Sequence, residues 1–267
     1  MSDKTDTKNR KLVYGIPKSR RQVPALTCSG CGHALIGKMA LEVIEELGIE
    51  EKTIAVSGIG CTGMLYLIPG STVIDFAIAS HGTPPAIALG IKRAHFGEVM
   101  VYTLQGDGDA AAIGLGCLIS SAARGDPITV IMFNNAVYAT TGGQLAPTTM
   151  TGQITTTTPA GRSSREGYPL HTAELLSPIK GVAYSARGSV HSPAHYQRTK
   201  KYMKTAFQAQ MAGSGFSFIE VLSICPTNWH MSPNQSLEWV ESTMVKEFPL
   251  GEFKNTLSSE QHDMELK

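Results

Sequence analysis

Short apolar segments alternate with helical segments along most of this chain, and this alternation constrains its fold more than any other feature. Five segments have the length and composition of buried strands: residues 53–58, 72–76, 98–105, 128–135 and 216–224. Five others show helical periodicity: residues 33–47, 84–95, 110–122, 194–212 and 233–247. Strands that are apolar on both faces and separated by helices form parallel sheets covered on both sides. The sequence therefore predicts an α/β fold, a mostly parallel sheet with helices on both faces.

Two segments break this alternation. Residues 1–24 are basic, polar and aperiodic, which indicates an extended N-terminal arm, with a disordered tail as the alternative. Residues 138–167 are rich in threonine and glycine and have neither a helical nor a strand period. A disordered linker is one interpretation of this second segment. A binding loop is the other, because a long loop inside a compact domain is often functional.

Composition and charge exclude several classes of protein. A chain that is 42% hydrophobic and 17% charged is rich in core residues and globular, not disordered. The formal net charge of +1 gives no reason to expect nucleic acid or acidic lipid as a partner. No apolar run is long enough to span a bilayer, and the N-terminus lacks the apolar core of a signal peptide. We expect a cytoplasmic protein with no nucleic-acid or membrane partner, whose five cysteines are ligands or buried thiols.

The strand at residues 98–105 stops abruptly at the sequence GDGD, residues 106–109. The helix and strand that follow each span about 20 Å, so the chain returns to the same sheet edge at Asn134 and Asn135. Ligands bind at this edge, beyond the carboxyl ends of the strands. The Asp107 carboxylate, an amide oxygen and a main-chain carbonyl together suit Mg²⁺, which shares its remaining positions with water and phosphate.

The glycines and the following helix suit a phosphate at the same place. Gly106 and Gly108 allow the backbone to approach a ligand closely. The helix that begins after them directs its free N–H groups and its positive dipole end toward an anion. These features predict a magnesium–diphosphate site. Two aspartates that cap a helix in a tight turn are the alternative, which the paired asparagines disfavour.

Four cysteines from separate segments form a second candidate site. Cys28 and Cys31 are separated by two residues in CSGCGH, while Cys61 and Cys225 stand alone in GIGC and SICP. Cys117 lies inside a predicted helix and is interpreted as a core residue. Four thiolates can hold zinc or a 4Fe–4S cluster. Structural zinc commonly uses two close pairs, so one pair with two single cysteines favours the iron–sulfur site and leaves zinc as the alternative.

Motifs along most of the chain resemble those of a known family. GDG at residues 106–108, followed by NN at residues 134–135, resembles the thiamine-diphosphate motif. The segments CSGCGH, GIGC, SHGTPPAIALGIKRA, QGDGDAAAIG, NNAVYATTGGQLAPTT, TTTTPAGR, GFSFIEVLSICPTNW and FPLGEFK resemble the β, thiamine-diphosphate-binding subunit of 2-oxoacid:ferredoxin oxidoreductases. The 2-oxoisovalerate type is the most similar and the 2-oxoglutarate type is next. The resemblance implies the thiamine-diphosphate-binding fold, a domain at residues 25–254 and a C-terminal tail at residues 255–267.

The resemblance also implies ligands for a cofactor and two metal centres. Asp107, Asn135 and the Val137 carbonyl would hold the Mg²⁺ of thiamine diphosphate, and the four cysteines of the second site would hold one 4Fe–4S cluster. The loop at residues 138–167 would cover the cofactor, with residues 141–144 near the diphosphate. The residues expected to contact the cofactor are Gly60, Cys61, His81, Gly106, Asp107, Gly108, Asp109, Asn135, Val137, Tyr138, Thr141 and Gly142.

Three candidate catalytic residues follow from the same resemblance. His33 follows the paired cysteines and His81 precedes Thr83, which places both histidines near the reacting carbon; structural hydrogen bonding is the alternative. Thr83 stands where many relatives have an arginine, a partner for a second carboxylate. This threonine, with the variants YATTGGQ and NWHMSP, weakens the expectation of 2-oxoglutarate and favours a branched-chain or aromatic 2-oxo acid.

The implied activity is oxidative decarboxylation of a 2-oxo acid with coenzyme A as co-substrate. The products are an acyl-CoA and CO₂, and electrons pass through the 4Fe–4S cluster to ferredoxin. One domain does not supply both halves of a thiamine site. An α subunit with the pyrimidine-side domain and its glutamate is therefore implied, with γ and ferredoxin-like δ subunits. The alternatives are a 2-oxoglutarate:ferredoxin oxidoreductase subunit, a non-redox thiamine-diphosphate decarboxylase subunit and a zinc-stabilised scaffold without catalysis.

Overall fold

A seven-stranded sheet forms the centre of the computed structural model, which describes residues 16–19, 26–65, 72–95 and 98–257. The strands are β1 Thr53–Ser57, β2 Asp75–Ile78, β3 Met100–Gly106, β4 Thr129–Asn134, β5 Val182–Ser189, β6 Phe216–Leu222 and β7 Gly251–Asn255. Their spatial order is β2-β1-β3-β4-β6-β5-β7. Neighbouring strands pair in parallel, except that β7 runs antiparallel to β5 at the edge. The predicted mostly parallel sheet is confirmed.

Helices pack on both faces of this sheet. They are α1 His33–Leu47, α2 Pro84–Ala94, α3 Leu115–Arg124, α4 Thr172–Leu176, α5 Pro193–Met211, α6 Pro226–Trp229, α7 Pro233–Trp239 and α8 Val245–Glu247. Helices α1 and α5 bury apolar side chains in one core, and α2, α3 and α4 do so in a second core on the other face. Within β3, Leu104 faces the first core and Val101 the second, as the two-residue period of a strand requires.

Local sequence sets several of the helix ends. Gly48 takes a left-handed φ of 64° after α1, and its N–H donates to the carbonyl oxygens of the last turn. Helix α2 begins at Pro84, where the missing N–H of proline has no cost. Helix α5 begins after Ser192, whose side chain accepts a hydrogen bond from the His195 N–H. The predicted helix starts at residues 33, 84 and 233 match the structure.

Several elements differ from the sequence-based expectation. The strand predicted at residues 72–76 lies at Asp75–Ile78, and the helix predicted at residues 110–122 is a π-helical turn, Asp109–Ile113, followed by α3. A second π-helical turn, Val240–Met244, interrupts the last predicted helix. Strands β5 and β7 and helix α4 were not predicted. The β5 sequence VAYSARGS is polar but fully buried, because its polar side chains find partners that are distant in sequence.

The threonine- and glycine-rich loop at residues 138–167 is bound to the domain and is not a disordered linker. Arg162 is 6% exposed and holds the loop from inside. Its guanidinium donates hydrogen bonds to the carbonyl oxygens of Ala146, Pro147, Thr149, Gly167 and Tyr168. Five backbone acceptors on one buried cation fix the course of the loop past the ends of the central strands.

Both predicted terminal segments lie mainly outside the described residues. Of the arm at residues 1–24 the structure describes residues 16–19, where the Ser19 carbonyl accepts a hydrogen bond from the Val73 N–H at 2.9 Å. Of the tail at residues 255–267 it describes residues 255–257. Asn255 ends β7, and the Thr256 N–H donates to the Ala183 carbonyl at 3.0 Å, so the fold continues past residue 254. Among the described helices, none is both long and apolar enough to cross a bilayer.

Candidate functional site

The central strands place their following loops along one edge of the sheet. The strand order changes direction between β1 and β3, which creates the crevice where α/β sheets bind ligands. A cavity of about 110 Å³ lies there. His33 lines it, and so does every predicted cofactor-binding residue except Gly142: Gly60, Cys61, His81, Gly106, Asp107, Gly108, Asp109, Asn135, Val137, Tyr138 and Thr141.

Asp107 follows β3 at the base of this cavity and is 2% exposed. Its Oδ1 accepts a hydrogen bond from the Gly108 N–H at 2.8 Å, and its Oδ2 accepts one from the Thr148 hydroxyl at 2.5 Å. Burial raises the pKa of Asp107 to about 7, because these neutral donors offset only part of the lost hydration. A cation in the cavity would supply the missing positive charge, so this buried carboxylate fits a metal ligand.

The backbone between Asn135 and Val137 has an uncommon conformation. Ala136 has a φ of 56°, a left-handed value that residues other than glycine seldom adopt. Its N–H donates to Asn134 Oδ1 at 3.1 Å, and its carbonyl accepts a hydrogen bond from the Thr149 hydroxyl at 2.7 Å. Asn135 and Val137 both line the cavity on either side of this turn. An amide oxygen and a main-chain carbonyl beside the Asp107 carboxylate form a donor set suited to Mg²⁺.

Asp109 lines the same cavity, but its carboxylate is occupied by protein donors. Its Oδ1 accepts a hydrogen bond from the Gly82 N–H at 2.7 Å and lies 2.5 Å from His81 Nδ1. Its Oδ2 accepts one from the Gln105 amide at 2.6 Å. Asp109 also begins the π-helical turn, where the Gly114 N–H donates to its carbonyl at 2.9 Å. Such turns are frequent at functional sites, and this one positions a carboxylate that orients His81.

Gly108 is required because Tyr138 packs directly over it. A Cβ at this position would lie 2.0 Å from the Tyr138 ring, and the Tyr138 hydroxyl donates to the Gly108 carbonyl at 3.3 Å. The sequence-based reason for this glycine was close approach of a phosphate. The structure adds a second reason, since the aromatic ring that lines the cavity occupies the space of any side chain.

Replacing Gly108 with alanine is expected to destabilise the protein by about 1–3 kcal/mol, the usual cost of overpacking, and to weaken binding of thiamine diphosphate. Thermal unfolding and a cofactor titration measure the two effects. Gly116→Ala in α3 is the matched control, because a Cβ there meets no atom within 4 Å. If steric conflict with the ring is the cause, Gly108→Ala combined with Tyr138→Ala recovers stability. No recovery in the double variant would contradict this interpretation.

The three candidate catalytic residues occupy different environments. His33, at the start of α1, is 2% exposed, and its Nδ1 lies 3.0 Å from the Ser223 hydroxyl. Burial lowers the pKa of His33 to about 4, so its imidazole is neutral at pH 7. His81 lines the cavity with its Nδ1 against Asp109. Thr83 is not among the residues that line the cavity; its hydroxyl donates to the Ser80 carbonyl at 2.8 Å in the turn before α2.

The four candidate cysteines line a second cavity of about 280 Å³, together with Gly142. The Cys31 N–H donates to the Cys28 carbonyl at 3.1 Å, which closes the turn between the paired cysteines. Cys61 Sγ lies 2.9 Å from the Thr140 hydroxyl. Helix α6 begins directly after Cys225. The structure thus brings together four thiols from three segments that are far apart in sequence.

Burial disfavours ionisation of the Cys31, Cys61 and Cys225 thiols without a cation. Burial, with smaller contributions from the three other thiols, raises the pKa of Cys31 to about 12. Burial also raises the pKa of Cys61 and of Cys225. A metal centre would supply the charge that lets buried thiols ionise, so the donor set fits one. Cys117 lies apart in α3 and is partly exposed, which corrects the expectation of a core residue.

The two cavities share a wall. Cys61, Asn135, Ala139 and Thr140 line both of them. Asn228 braces this wall, since its side-chain amide donates to the Ala139 carbonyl at 3.1 Å and to Cys225 Sγ at 3.4 Å. A group held by the thiols would therefore lie directly beside a ligand of the first cavity.

Comparison with known proteins agrees with this geometry. Residues 58–221 match the family described as thiamine pyrophosphate enzyme, C-terminal TPP binding domain. The chain is 40% identical over 229 residues to the ketoisovalerate oxidoreductase subunit VorA of Methanothermobacter thermautotrophicus, covering 85% of this chain and 47% of that protein. It is 40% identical over 210 residues to the 2-oxoglutarate synthase subunit KorB of Methanocaldococcus jannaschii, covering 77% of this chain and 71% of that protein. The chain belongs to the β subunits of the 2-oxoacid:ferredoxin oxidoreductases.

A solved structure supports this assignment of the β subunit. The 2-oxoglutarate:ferredoxin oxidoreductase from Magnetococcus marinus, determined with 2-oxoglutarate, coenzyme A and succinyl-CoA bound, has a TM-score of 0.73 and 25% identity. The match covers 92% of this chain and 87% of that chain. The β subunit spans about half the length of its two VorA relatives, 47% and 48%. The names of these relatives describe them as subunits of oxidoreductases or synthases, so those enzymes contain further chains.

Sequence reasoning missed several residues that shape the β-subunit site. Thr148 bonds the Asp107 carboxylate, Ser223 bonds His33, and Gln105 bonds Asp109. Thr148 lies in a segment already singled out by its composition, so that signal could have found it. Ser223 is 190 residues from His33, and no local pattern connects them.

Proposed function

We propose that this β subunit binds thiamine diphosphate and a 4Fe–4S cluster side by side and contributes to coenzyme A-dependent oxidative decarboxylation of a 2-oxo acid. Asp107, Asn135 and the Val137 carbonyl would hold the Mg²⁺ of the cofactor. The thiols of Cys28, Cys31, Cys61 and Cys225 would hold the cluster. The observation that carries the proposal is the shared wall between the two cavities. Adjacent sites for a diphosphate cofactor and for an electron carrier suit an oxidation that proceeds one electron at a time.

The spacing of the thiols supports an iron–sulfur cluster over zinc. A tetrahedral zinc ion holds its sulfur ligands about 3.8 Å apart, given Zn–S distances of about 2.3 Å. In the described part of the chain, one group of three or more potential ligand side chains has all its donor atoms within 4.8 Å of one another, and it contains no cysteine. No three of the four thiols therefore have all their sulfur atoms within 4.8 Å of one another, a spacing that favours a polynuclear cluster over a single zinc ion.

Thiamine diphosphate, when bound, supplies the electron sink for the carbanion that decarboxylation of a 2-oxo acid leaves. Side chains of this chain would orient the reacting groups beside the cofactor. Asp109 holds His81 through Nδ1, which leaves Nε2 as the ring nitrogen available to a substrate. His33 presents a neutral imidazole, since burial lowers its pKa to about 4. Tyr138 packs over the GDG turn and lines the cavity together with Asp107.

A branched-chain or aromatic 2-oxo acid is the proposed substrate class. Thr83 offers no positive charge for a second carboxylate, and its hydroxyl is already bonded to the Ser80 carbonyl. The similarity to proteins named ketoisovalerate oxidoreductase subunit VorA favours the same class. 2-Oxoglutarate is the second candidate, because one relative named 2-oxoglutarate synthase subunit KorB reaches the same 40% identity.

Partner subunits are part of the proposal. None of the described residues that line the cavity is a glutamate, so the glutamate that acts on the pyrimidine would come from an α subunit. Ile59 lines the cavity and is exposed, and Ile87 and Ile113 are exposed on α2 and on the π-helical turn. Exposed apolar side chains suit a surface that another subunit covers. We further propose γ and ferredoxin-like δ subunits, coenzyme A as co-substrate, ferredoxin as acceptor and a cytoplasmic location.

The test uses the complex purified anaerobically through this subunit. Thiamine, magnesium, iron and zinc are measured, and viologen reduction is followed with coenzyme A and 2-oxoisovalerate, phenylpyruvate, pyruvate or 2-oxoglutarate. The proposal expects at least four iron atoms per β subunit, with more where a ferredoxin-like δ subunit is present, and reduction that depends on coenzyme A. Thiamine without iron, with CO₂ release but no viologen reduction, would instead identify a non-redox decarboxylase. Zinc without thiamine would identify a scaffold.

Replacing Thr148 with valine is expected to weaken cofactor binding by roughly 10–100-fold, the usual effect of removing an outer hydrogen bond to a metal ligand. The variant keeps the shape of the side chain but leaves Asp107 Oδ2 without its donor. Thr172→Val is the matched control, since Thr172 is equally buried and its hydroxyl has no partner within the described structure. Titration with thiamine diphosphate and Mg²⁺ measures the difference. Equal affinities in the two variants would refute a supporting function for Thr148.

A further inference from the structure

Two histidines and a glutamate converge away from both cavities. His191 follows β5 by two residues, His195 lies in the first turn of α5, and Glu241 belongs to the π-helical turn Val240–Met244. One ligand atom from each of the three lies within 4.8 Å of the others. The two imidazole rings are 4.1 Å apart between centroids, and Glu241 Oε2 contacts His191 Nε2.

Hydrogen bonds behind the imidazoles hold them in place. His191 Nδ1 lies 2.7 Å from the Ser189 hydroxyl, and His195 Nδ1 lies 2.8 Å from the Ser192 hydroxyl. The Ser189 hydroxyl donates to the Leu222 carbonyl at 3.5 Å, so its oxygen can accept a hydrogen bond from the N–H at His191 Nδ1. This arrangement favours the tautomer whose Nε2 has a free lone pair. Bonding of the second ring nitrogen in this way is typical of histidines that ligate metals.

Access from solvent differs among the three side chains. The His191 side chain is 4% exposed, His195 is partly buried, and the Glu241 side chain is 64% exposed. An ion could therefore reach the histidines from the glutamate side. Two imidazole nitrogens and one carboxylate oxygen, with water at a fourth position, are a donor set for zinc and related divalent transition metals.

We propose that His191, His195 and Glu241 bind one divalent transition-metal ion of the zinc class. The ion would join the start of α5 to the π-helical turn. Val240 and Met244 of that turn belong to the same hydrophobic cluster as Ala136, the left-handed residue between two of the candidate Mg²⁺ ligands. The ion would therefore stabilise the π-helical turn that supports the diphosphate site, without contacting that site.

A simple ion pair between His191 and Glu241 is the alternative, and the chain contains a matched example of one. His171 lies between Glu174 and Glu247, with its two ring nitrogens 3.4 and 3.0 Å from separate carboxylates. The two carboxylate oxygens contact different nitrogens of the His171 ring, so they do not converge on one point as the three proposed ligands do. His171→Ala therefore removes a comparable ion pair and none of the three proposed ligands.

The experiment titrates the purified complex, with its cysteine site already loaded, with Zn²⁺ and with Co²⁺. Metal content after gel filtration gives the stoichiometry, and the visible absorption of Co²⁺ reports its ligand geometry. We expect one equivalent in the wild type and in His171→Ala. Its affinity should fall by more than about 100-fold in His195→Gln and Glu241→Gln, and by about 10–100-fold in Ser189→Ala.

The two ligand variants alter exposed or partly exposed side chains, so they keep the test valid if a change at the buried His191 prevents folding. Thermal unfolding provides a second measurement, because bound Zn²⁺ should raise the midpoint of the wild type and of His171→Ala and leave His195→Gln and Glu241→Gln unchanged. Binding of Zn²⁺ that is equal in wild type, His195→Gln and Glu241→Gln would overturn the proposal. So would a wild type that binds no ion, which would leave the ion pair as the whole interaction.

Discussion

Replacing Asp107 with asparagine is expected to change cofactor affinity and apoprotein stability in opposite directions. Binding of thiamine diphosphate with Mg²⁺ should fall by well over about 100-fold, because removing only an outer partner of a metal ligand already costs up to that much. The isosteric amide keeps the shape of the turn but loses the anionic oxygen. Isothermal titration with the cofactor and Mg²⁺ measures this loss, and substrate-dependent viologen reduction should disappear with it.

The stability of the cofactor-free complex should increase in the same variant. Burial raises the pKa of Asp107 from 3.8 to about 7, so the folded state binds a proton more tightly than the unfolded state does. Above the unfolded pKa the carboxylate therefore lowers the free energy of unfolding, by up to roughly 4 kcal/mol once the pH passes 7. The asparagine variant lacks this penalty.

The pH dependence provides the control for this prediction. The stability advantage of Asp107→Asn over wild type should be absent near pH 4, grow as the pH rises, and level off above pH 7. Thermal unfolding of the two complexes without cofactor measures it. Added cofactor should reverse the order, since it stabilises only the wild type. An advantage independent of pH would contradict the assignment of Asp107 as a buried, unpaired anion.

The residues that sequence analysis grouped at one edge of the sheet are those whose positions follow from strand length and order rather than from side-chain packing. Asp107 and Asn135 directly follow two adjacent parallel strands, and strand length alone brings such ends to one edge. The cysteines were more difficult. The cysteine pattern favoured an iron–sulfur cluster but left zinc as an alternative, and the resemblance implied a 4Fe–4S cluster bound by all four thiols. The structure adds that the thiols share a wall with the cofactor cavity, a relation that spacing in the sequence does not contain.

Features that depend on distant partners escaped prediction. Strand β5 contains Arg187, which no apolar pattern would place at 0% exposure. Its guanidinium pairs with Glu220 of β6 at 2.9 Å, and Glu220 accepts a hydrogen bond from Asn134 at 2.7 Å. A buried charge is tolerated when its partners are buried with it, so the polar strand becomes possible only within the complete sheet. The same network ends at Asn134, which holds the turn at Ala136.

Unusual backbone conformation was the second feature that the sequence did not predict. A positive φ is normally indicated by glycine, yet Ala136 adopts one because Asn134 and Thr149 bond both of its polar backbone groups. The π-helical turn at Asp109 is equally hidden, since one extra residue per turn leaves the apolar pattern of the helix nearly unchanged. In both places the structure departs from the regular pattern at residues that line the cavity or support it.

Replacing Cys31 with serine is expected to separate electron transfer from cofactor binding. Cys31 is one of the four thiols of the second cavity and does not line the first. Iron content should fall, and viologen reduction with a 2-oxo acid and coenzyme A should drop by more than about 100-fold, because a serine hydroxyl does not replace a thiolate ligand. Affinity for thiamine diphosphate and Mg²⁺ should stay within a few-fold of wild type.

Cys117→Ser is the matched control, since it makes the same chemical change at a partly exposed thiol in α3. It should retain iron, the visible absorption of the cluster and full viologen reduction. Because Cys61 lines both cavities, Cys61→Ser should lose iron and also weaken cofactor binding. Cys117→Ser should change neither iron content nor cofactor binding, Cys31→Ser should lower iron content alone, and Cys61→Ser should lower both. This order of effects distinguishes two adjacent sites from general destabilisation. A lower iron content in Cys117→Ser, or the full wild-type iron content in Cys31→Ser, would refute the assignment of the four-thiol cluster.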